Sequence, residues 1–212
     1  HRPEFAAPWT GRADSAVITL NRLDGSQSMT LVQQQVTGER TLPAALCARI
    51  VEQADGVPLF LEELTKAVLE APPAARAARL AVPATLQASL MARLDRLPAA
   101  RLVAPIAAAI GREFPHALLA AVAGLAAPRL LQGLDELVTA GIAYRRGTPP
   151  DAVYTFKHAL VQDLAYGTLV KARRREVHRH IGETLRDRLP DRAAAEPEVV
   201  AHHFAAAGLL DA

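Results

Sequence analysis

A glycine and a proline two positions apart, Gly56 and Pro58, constrain the fold of this chain more than any other feature. A proline in the first turn of a helix forfeits no backbone hydrogen bond and has its φ preset, whereas a glycine takes the positive φ that ends a preceding helix. Apolar residues recur at helical spacing on both sides of this pair. The sequence therefore predicts two antiparallel helices joined by a fixed corner at 55–59.

Composition limits the classes of protein to which the chain can belong. Its 212 residues are 50% hydrophobic, enough for one or two domains with cores, and its net charge of +2 indicates neither a nucleic-acid nor a membrane partner. No apolar stretch approaches the roughly 20 residues of a membrane span. The single cysteine, Cys47, excludes an intramolecular disulfide and a cysteine-rich metal site. We expect a cytoplasmic protein without membrane contact.

The chain changes character along its length. The run Ser15 to Leu20 is apolar and β-branched between turn residues, which predicts a strand, so residues 1–41 read as the tail of an α/β unit. From Leu42 the period is helical, and the last part of the segment 42–81, residues 70–81, is a Pro- and Ala-rich linker. A helix is then predicted through residue 97.

The second half has the order of a winged-helix domain. Three helices are predicted, followed by two strands around a turn and by further helices; the helices span 99–110, 115–123 and 127–140, the strands 142–145 and 153–156, and the trailing helices 158–170, 171–189 and 194–208. We therefore predict a mainly α chain with a winged-helix domain over 82–170. Residues 171–212 are predicted to be further helices.

Further segments accompany the corner in a fixed order. They read HRPEF at 1–5 followed by Pro8-Trp9, VPATLQASLMARLD at 82–95, IGREF at 110–114 and FKHALVQD at 156–163. This ordered set resembles the ATPase region of signal-transducing NTPases (the AAA-like STAND class), as found behind class III adenylate or guanylate cyclase domains or in LuxR-type regulators. The resemblance extends over almost the whole chain.

The resemblance implies a remnant of an NTPase core over 1–41, a helical lid with its linker over 42–81 and a winged helix over 82–170, which together hold ATP or ADP. It also implies that the helices of 171–212 lead into a helical-repeat region. It makes Gly56, Pro58 and His158 nucleotide-binding residues, with Pro58 packed near the adenine and His158 near the β-phosphate of ADP in the closed state. In related NTPases this histidine stands in a Met-His-Asp-like motif, of which the chain keeps only the histidine, with Ala159 where the acid would be. The implied partners are an upstream NTPase core and an effector domain of the same parent, and a protein bound through downstream repeats.

The chain has no phosphate loop of the form Gly-x-x-x-x-Gly-Lys-Ser/Thr and no apolar run ending in paired acids that could hold Mg²⁺. We therefore predict no catalytic residues here. We expect the parent to be an ATPase that binds Mg²⁺ with its nucleotide, and the resemblance implies fusion to a cyclase as one of its forms. This chain alone is expected to be inactive.

Two pairs of histidines lie in the predicted trailing helices. His178 and His180 point to different faces of one helix, and His202 and His203 are adjacent, so neither pair has the i, i+4 spacing with which one helix chelates a metal; no metal site is predicted.

The alternative to a nucleotide sensor is a DNA-binding or scaffold module without nucleotide. The predicted third helix disfavours DNA, because its exposed side is neutral to acidic and counterion release would be small; its polar residues are Arg129, Gln132, Asp135 and Glu136. Arg145 and Arg146 at the wing are the only support for DNA binding.

Overall fold

The computed structural model of the chain describes residues 20–36, 42–71 and 85–209. Contacts divide the chain into two compact units, residues 1–82 and 83–212. Within the described ranges the fold is mainly helical, with eleven helices and a small three-stranded sheet, as the sequence predicted at this coarse level. None of these helices has the length and apolar character of a transmembrane span.

The first unit is a cluster of three helices, α1 (Gly25–Gln35), α2 (Ala44–Ala54) and α3 (Pro58–Glu70), each of which packs against the other two. Apolar side chains that recur every three or four positions meet between them and are buried; they are Val32, Leu46, Ile50, Ala54, Leu61, Leu64 and Val68. Burial of such side chains, worth about 1.5–3 kcal/mol each, stabilises the unit.

Helix α1 differs from the sequence prediction, which placed a strand and turns in this part of the chain. The helix begins with a capping box: the Gln27 N–H donates to the Asp24 side chain at 2.8 Å, and the Asp24 N–H donates to the Gln27 side chain at 3.0 Å. The predicted strand over residues 15–20 lies outside the described residues except for Leu20, which is exposed. Most of the predicted linker also lies outside them.

The second unit opens with α4 (Leu86–Asp95) and then alternates helices with a small sheet. The elements that follow are α5 (Ala100–Ile110), β1 (Glu113–Pro115), α6 (His116–Val122), α7 (Ala127–Thr139), β2 (Ala143–Arg146), β3 (Val153–Phe156), α8 (Ala159–Gly167), α9 (Lys171–Arg188), α10 (Pro190–Ala195) and α11 (Pro197–Ala207). The bounds of α5 to β3 agree with the predicted ones within about two residues, apart from β1, which was not predicted.

The sheet is antiparallel and has the order β1-β3-β2. Its inner face carries three fully buried aromatic rings: Phe114 stacks on Tyr154 with centroids 5.7 Å apart and lies 5.1 Å from Phe156. Helix α5 packs against α7 and α8, and Gly133 permits the close crossing with α7, because a Cβ there would lie 2.6 Å from a methyl of Val103. The core of the unit thus lies around α5.

The C-terminal part packs α9 against α11, the most extensive helix contact of the described residues. The helix predicted over 194–208 corresponds to α11, which begins slightly later, at Pro197; the separate short helix α10 was not predicted and ends before Glu196. The residue before a proline is disfavoured in the α conformation, and Glu196, which precedes Pro197, has φ −132° and ψ 59°.

Candidate functional site

The corner between α2 and α3 has the backbone geometry that the sequence predicted. Helix α2 ends with Asp55 in the left-handed region at φ 48°, and Gly56 follows at φ 69°. Helix α3 begins at Pro58, preceded by Val57 in an extended conformation. The two positive φ values turn the chain, and the proline starts the next helix without losing a hydrogen bond.

Gly56 is required at this position for a second reason, the close approach of another part of the chain. The N–H of Leu23 donates to the carbonyl oxygen of Gly56 at 2.8 Å. A Cβ on Gly56 would lie 2.3 Å from the carbonyl oxygen of Leu23 and 3.0 Å from the Cβ of Arg22. Arg22 also pairs with the carboxylate of Asp55. The corner is therefore fastened to the segment before α1, while Pro58 remains exposed.

His158 lies at the junction between β3 and α8. It is the N-cap residue of α8, with extended φ and ψ of −132° and 137°, and its side chain makes no capping hydrogen bond to that helix. Phe156, two residues earlier, is fully buried and the Lys157 N–H donates to the Ile142 carbonyl at 2.9 Å, so the backbone that carries this half-buried histidine is firmly placed. The first turn of α8 provides N–H groups and the positive end of a helix dipole beside it.

The charged side chains of α7 make contacts within the second unit. Glu136 accepts hydrogen bonds from the backbone N–H groups of Ala99, at 3.0 Å, and Ala100, at 2.9 Å, and so caps the N-terminus of α5. Both arginines of the β2–β3 hairpin lie near acids: Arg145 is 3.4 Å from Asp135, and Arg146 is 3.8 Å from Glu113. This surface therefore has little unbalanced positive charge.

Three histidines from α9 and α11 come together in the second unit. The Nδ1 atoms of His178 and His203 are 2.8 Å apart, and one imidazole nitrogen from each of His178, His202 and His203 lies within 4.8 Å of the others. The Tyr166 hydroxyl, on α8, lies 3.0 Å from Nε2 of His178. His178 and His203 are buried, whereas His202 is exposed.

This environment favours the neutral form of the buried imidazoles. Burial, and then the proximity of His178 and His202, lower the pKa of His203 to about 4. Burial, followed by the charges of His202 and Arg174, also lowers the pKa of His178. At neutral pH both rings therefore carry lone pairs that can accept a hydrogen bond or bind a metal.

A cavity of about 240 Å³ reaches this cluster from the surface. Its lining includes His178, His202 and Tyr166, together with Gln162 and Asp163 of α8. Gln162 is held in place by donating to the Ala108 carbonyl at 3.2 Å. The cavity thus reaches two of the three histidines, His178 and His202.

Comparison with known proteins assigns no activity to these features. No family model matches the chain, and no solved structure matches it. An uncharacterized protein of Rhizobium meliloti (strain 1021) is 27% identical over 217 residues, an alignment that includes 99% of this chain and 21% of that protein. The chain therefore spans about a fifth of the length of this relative.

The structure brings together His178, His202 and His203, although their spacing in sequence predicted no metal site. His180, the other histidine of α9, is exposed and lies 3.2 Å from the Ala121 carbonyl. The spacing in sequence could not show that α9 and α11 lie side by side. Gly182 offered a signal, because a Cβ there would lie 3.0 Å from the Phe204 ring, and small residues mark close helix crossings.

Proposed function

We propose that the chain is the nucleotide-sensing and interdomain-coupling segment of a signal-transducing ATPase that regulates a cyclase or a transcriptional output. The observation that carries this proposal is the corner at Gly56 and Pro58. Its two left-handed residues, its helix-starting proline and its attachment to Leu23 are what a lid fastened to a preceding nucleotide-binding core requires. Pro58 is exposed and can contact an adenine ring.

The second unit supports the proposal through its topology. The order helix, strand, two helices, strand, turn and strand, with the sheet order β1-β3-β2, is in keeping with a winged helix. In the proposed switch, ADP holds the core, lid and winged helix in a closed state, and exchange for ATP releases the winged helix. His158 would donate to a phosphate of ADP in the closed state only.

The upstream NTPase core, with its phosphate loop and Mg²⁺ site, belongs to the proposal and would be supplied by a longer parent. A relative in which the matching segment accounts for 21% of the length is consistent with such a segment acting inside a larger protein. The chain alone would then bind ATP weakly and not hydrolyse it, because phosphoryl transfer depends on positioning and charge stabilisation by groups it lacks.

DNA binding is less well supported than nucleotide sensing. The hairpin arginines lie near Asp135 and Glu113, and Glu136 is committed to the N-terminus of α5. Few phosphates could be neutralised, so the salt-dependent part of DNA affinity would be small. A DNA titration at several salt concentrations separates the two functions, and a steep salt dependence would favour the DNA-binding module.

The experiment that tests the proposal is photolabelling with 8-azido-ADP in a parent protein that carries this chain behind a phosphate loop. Label in the peptide containing Pro58 is expected, and Pro58→Ala should speed ADP release. Pro43→Ala is the matched control, because Pro43 is also an exposed proline at the start of a helix of the same unit. Label that avoids the corner, together with equal ADP release in both variants, would overturn the adenine contact.

A further inference from the structure

We propose that His178, His202 and His203 form a binding site for a divalent transition metal of the zinc class, which bridges α9 and α11. The site uses residues outside the proposed nucleotide contacts. It therefore stands or falls independently of the ATPase proposal.

The positions of the nitrogen atoms support three ligands to one ion. Around tetrahedral zinc, with Zn–N bonds of about 2.0–2.1 Å, ligand nitrogens lie about 3.4 Å apart. The Nδ1 atoms of His178 and His203 lie 2.8 Å apart and would move slightly away from each other; the three nitrogens lie within 4.8 Å of one another. His202 is exposed, so rotation of its imidazole can complete the approach.

The contacts of His178 with His203 and Tyr166 explain how its ring could reach the protonation state that binds a metal. In the metal-free protein, one of the Nδ1 atoms of His178 and His203 carries the proton that joins them. Metal binding requires both Nδ1 atoms to be unprotonated, so this proton moves to Nε2 of its own ring. For His178 the Tyr166 hydroxyl lies 3.0 Å from Nε2 and can accept that hydrogen bond. An outer partner of this kind orients most metal-binding histidines.

The donor set selects the class of ion. Three imidazole nitrogens suit zinc, copper, nickel or cobalt, whereas calcium and magnesium require oxygen ligands. The cavity of about 240 Å³ lined by His178 and His202 gives the ion a path from solvent. Three protein ligands leave a fourth position for water or another donor.

Metal binding would have a mechanical consequence. Helix α9 carries one ligand and α11 carries two, so a bound ion joins these helices through coordinate bonds in addition to their packing. Because an ion that binds the folded state stabilises it by mass action, the metal would raise the melting temperature of the second unit.

The test uses the full chain, stripped of metal with a chelator and then titrated with Co²⁺ and with Zn²⁺. We expect stoichiometric binding, the intense visible absorption of four-coordinate cobalt, displacement of cobalt by zinc, and a higher melting temperature with zinc. His202→Ala should weaken binding by more than about 100-fold, because loss of an outer partner alone typically costs 10–100-fold. Its exposed position means that the metal-free protein should remain folded.

Two further variants separate a metal site from a merely packed histidine cluster. His180→Ala removes an exposed histidine on the same helix and should bind cobalt like the wild type. Tyr166→Phe should weaken cobalt binding about tenfold if its hydroxyl positions His178. A cobalt spectrum that remains that of the six-coordinate hydrated ion, no rise in melting temperature with zinc, or equal cobalt affinity for His202→Ala and His180→Ala would overturn the site.

Discussion

The backbone N–H of Leu23 donates a hydrogen bond of 2.8 Å to the carbonyl oxygen of Gly56, and the Leu23 carbonyl occupies the space that a side chain at position 56 would need. Two segments 33 residues apart in sequence are therefore joined backbone to backbone. Such a contact leaves no room to adjust, because neither backbone can move without disturbing a helix end. The requirement for glycine thus comes from packing as well as from φ.

We expect Gly56→Ala to destabilise the first unit by about 2–4 kcal/mol. A side chain at positive φ costs about 1 kcal/mol, and overpacking a close contact adds about 1–3 kcal/mol. Hydrogen exchange of the α2 and α3 amides, together with urea unfolding, measures the loss. Gly25→Ala is the control in the same unit, since Gly25 has ordinary φ in the first turn of α1 and open space around it. Equal effects of the two substitutions would show that the contact with Leu23 is unimportant.

Much of the helical architecture could be predicted from sequence because its determinants are local. Apolar periodicity identifies α2, α3 and α5 to α9, and the corner follows from the chemistry of glycine and proline. Helix α1 was not predicted, although Asp24 and Gln27 have the spacing of a capping box. Strand β1 is only three residues long and forms by pairing with β3, which no local pattern reveals.

The contacts of the candidate site were less accessible to sequence reasoning. Pairing of His178 with His203 depends on how α9 crosses α11. Glu136 caps α5 by accepting hydrogen bonds from Ala100 and Ala99, which precede it in sequence by 36 and 37 positions. The sequence indicates only that Glu136 contributes to the surface charge of α7. Tertiary packing assigned it a structural role that helical propensity does not encode.

Glu136→Ala is expected to destabilise the second unit by about 1–3 kcal/mol, because two backbone N–H groups at the start of α5 lose a charged acceptor. Asp135→Ala is the matched control: this neighbouring acid is exposed and its pair with Arg145 is worth at most about 1 kcal/mol. Urea unfolding monitored by circular dichroism compares the two. Similar losses would contradict the capping role of Glu136.

The stability of the metal-free protein should fall on mild acidification. The folded pKa of His203 is about 4, below its usual value of 6.5, and that of His178 is also lowered. Between pH 6.5 and pH 4 the unfolded chain binds more protons than the folded one. The contribution of His203 to the free energy of unfolding, on the order of 3 kcal/mol, is therefore fully present above about pH 6.5 and is lost as the pH falls toward 4. His202 and Arg174 also face the pair and oppose its protonation.

Urea midpoints measured across this range in the presence of a chelator test the pH prediction. His203→Asn removes the titrating ring but retains a polar side chain, so its profile should be flatter than that of the wild type. His180→Asn changes an exposed histidine of α9 and should leave the profile unaltered. If the wild type and His203→Asn lose stability in parallel, other groups are responsible for the acid sensitivity.

The proposed switch makes its most specific prediction at His158. A charge-assisted hydrogen bond from an imidazole to a phosphate contributes about 1.5–3 kcal/mol, so losing one made only in the closed state should speed ADP release by roughly 10- to 100-fold. In a parent with a phosphate loop, His158→Ala should also raise basal output and leave ATP affinity nearly unchanged, because a ligand shifts an equilibrium only by its differential affinity for the two states.

His116→Ala is the matched control for this experiment, because His116 is the other half-buried histidine at the start of a helix in the second unit. If both residues serve packing alone, each substitution lowers the melting temperature and neither changes ADP release. If His158 senses the nucleotide, only its substitution speeds ADP release, whatever its effect on melting. Stopped-flow displacement of a fluorescent ADP analogue and thermal unfolding, measured on the same two variants, therefore separate sensing from stability. A destabilised His158→Ala protein with wild-type ADP release would rule out the sensor role.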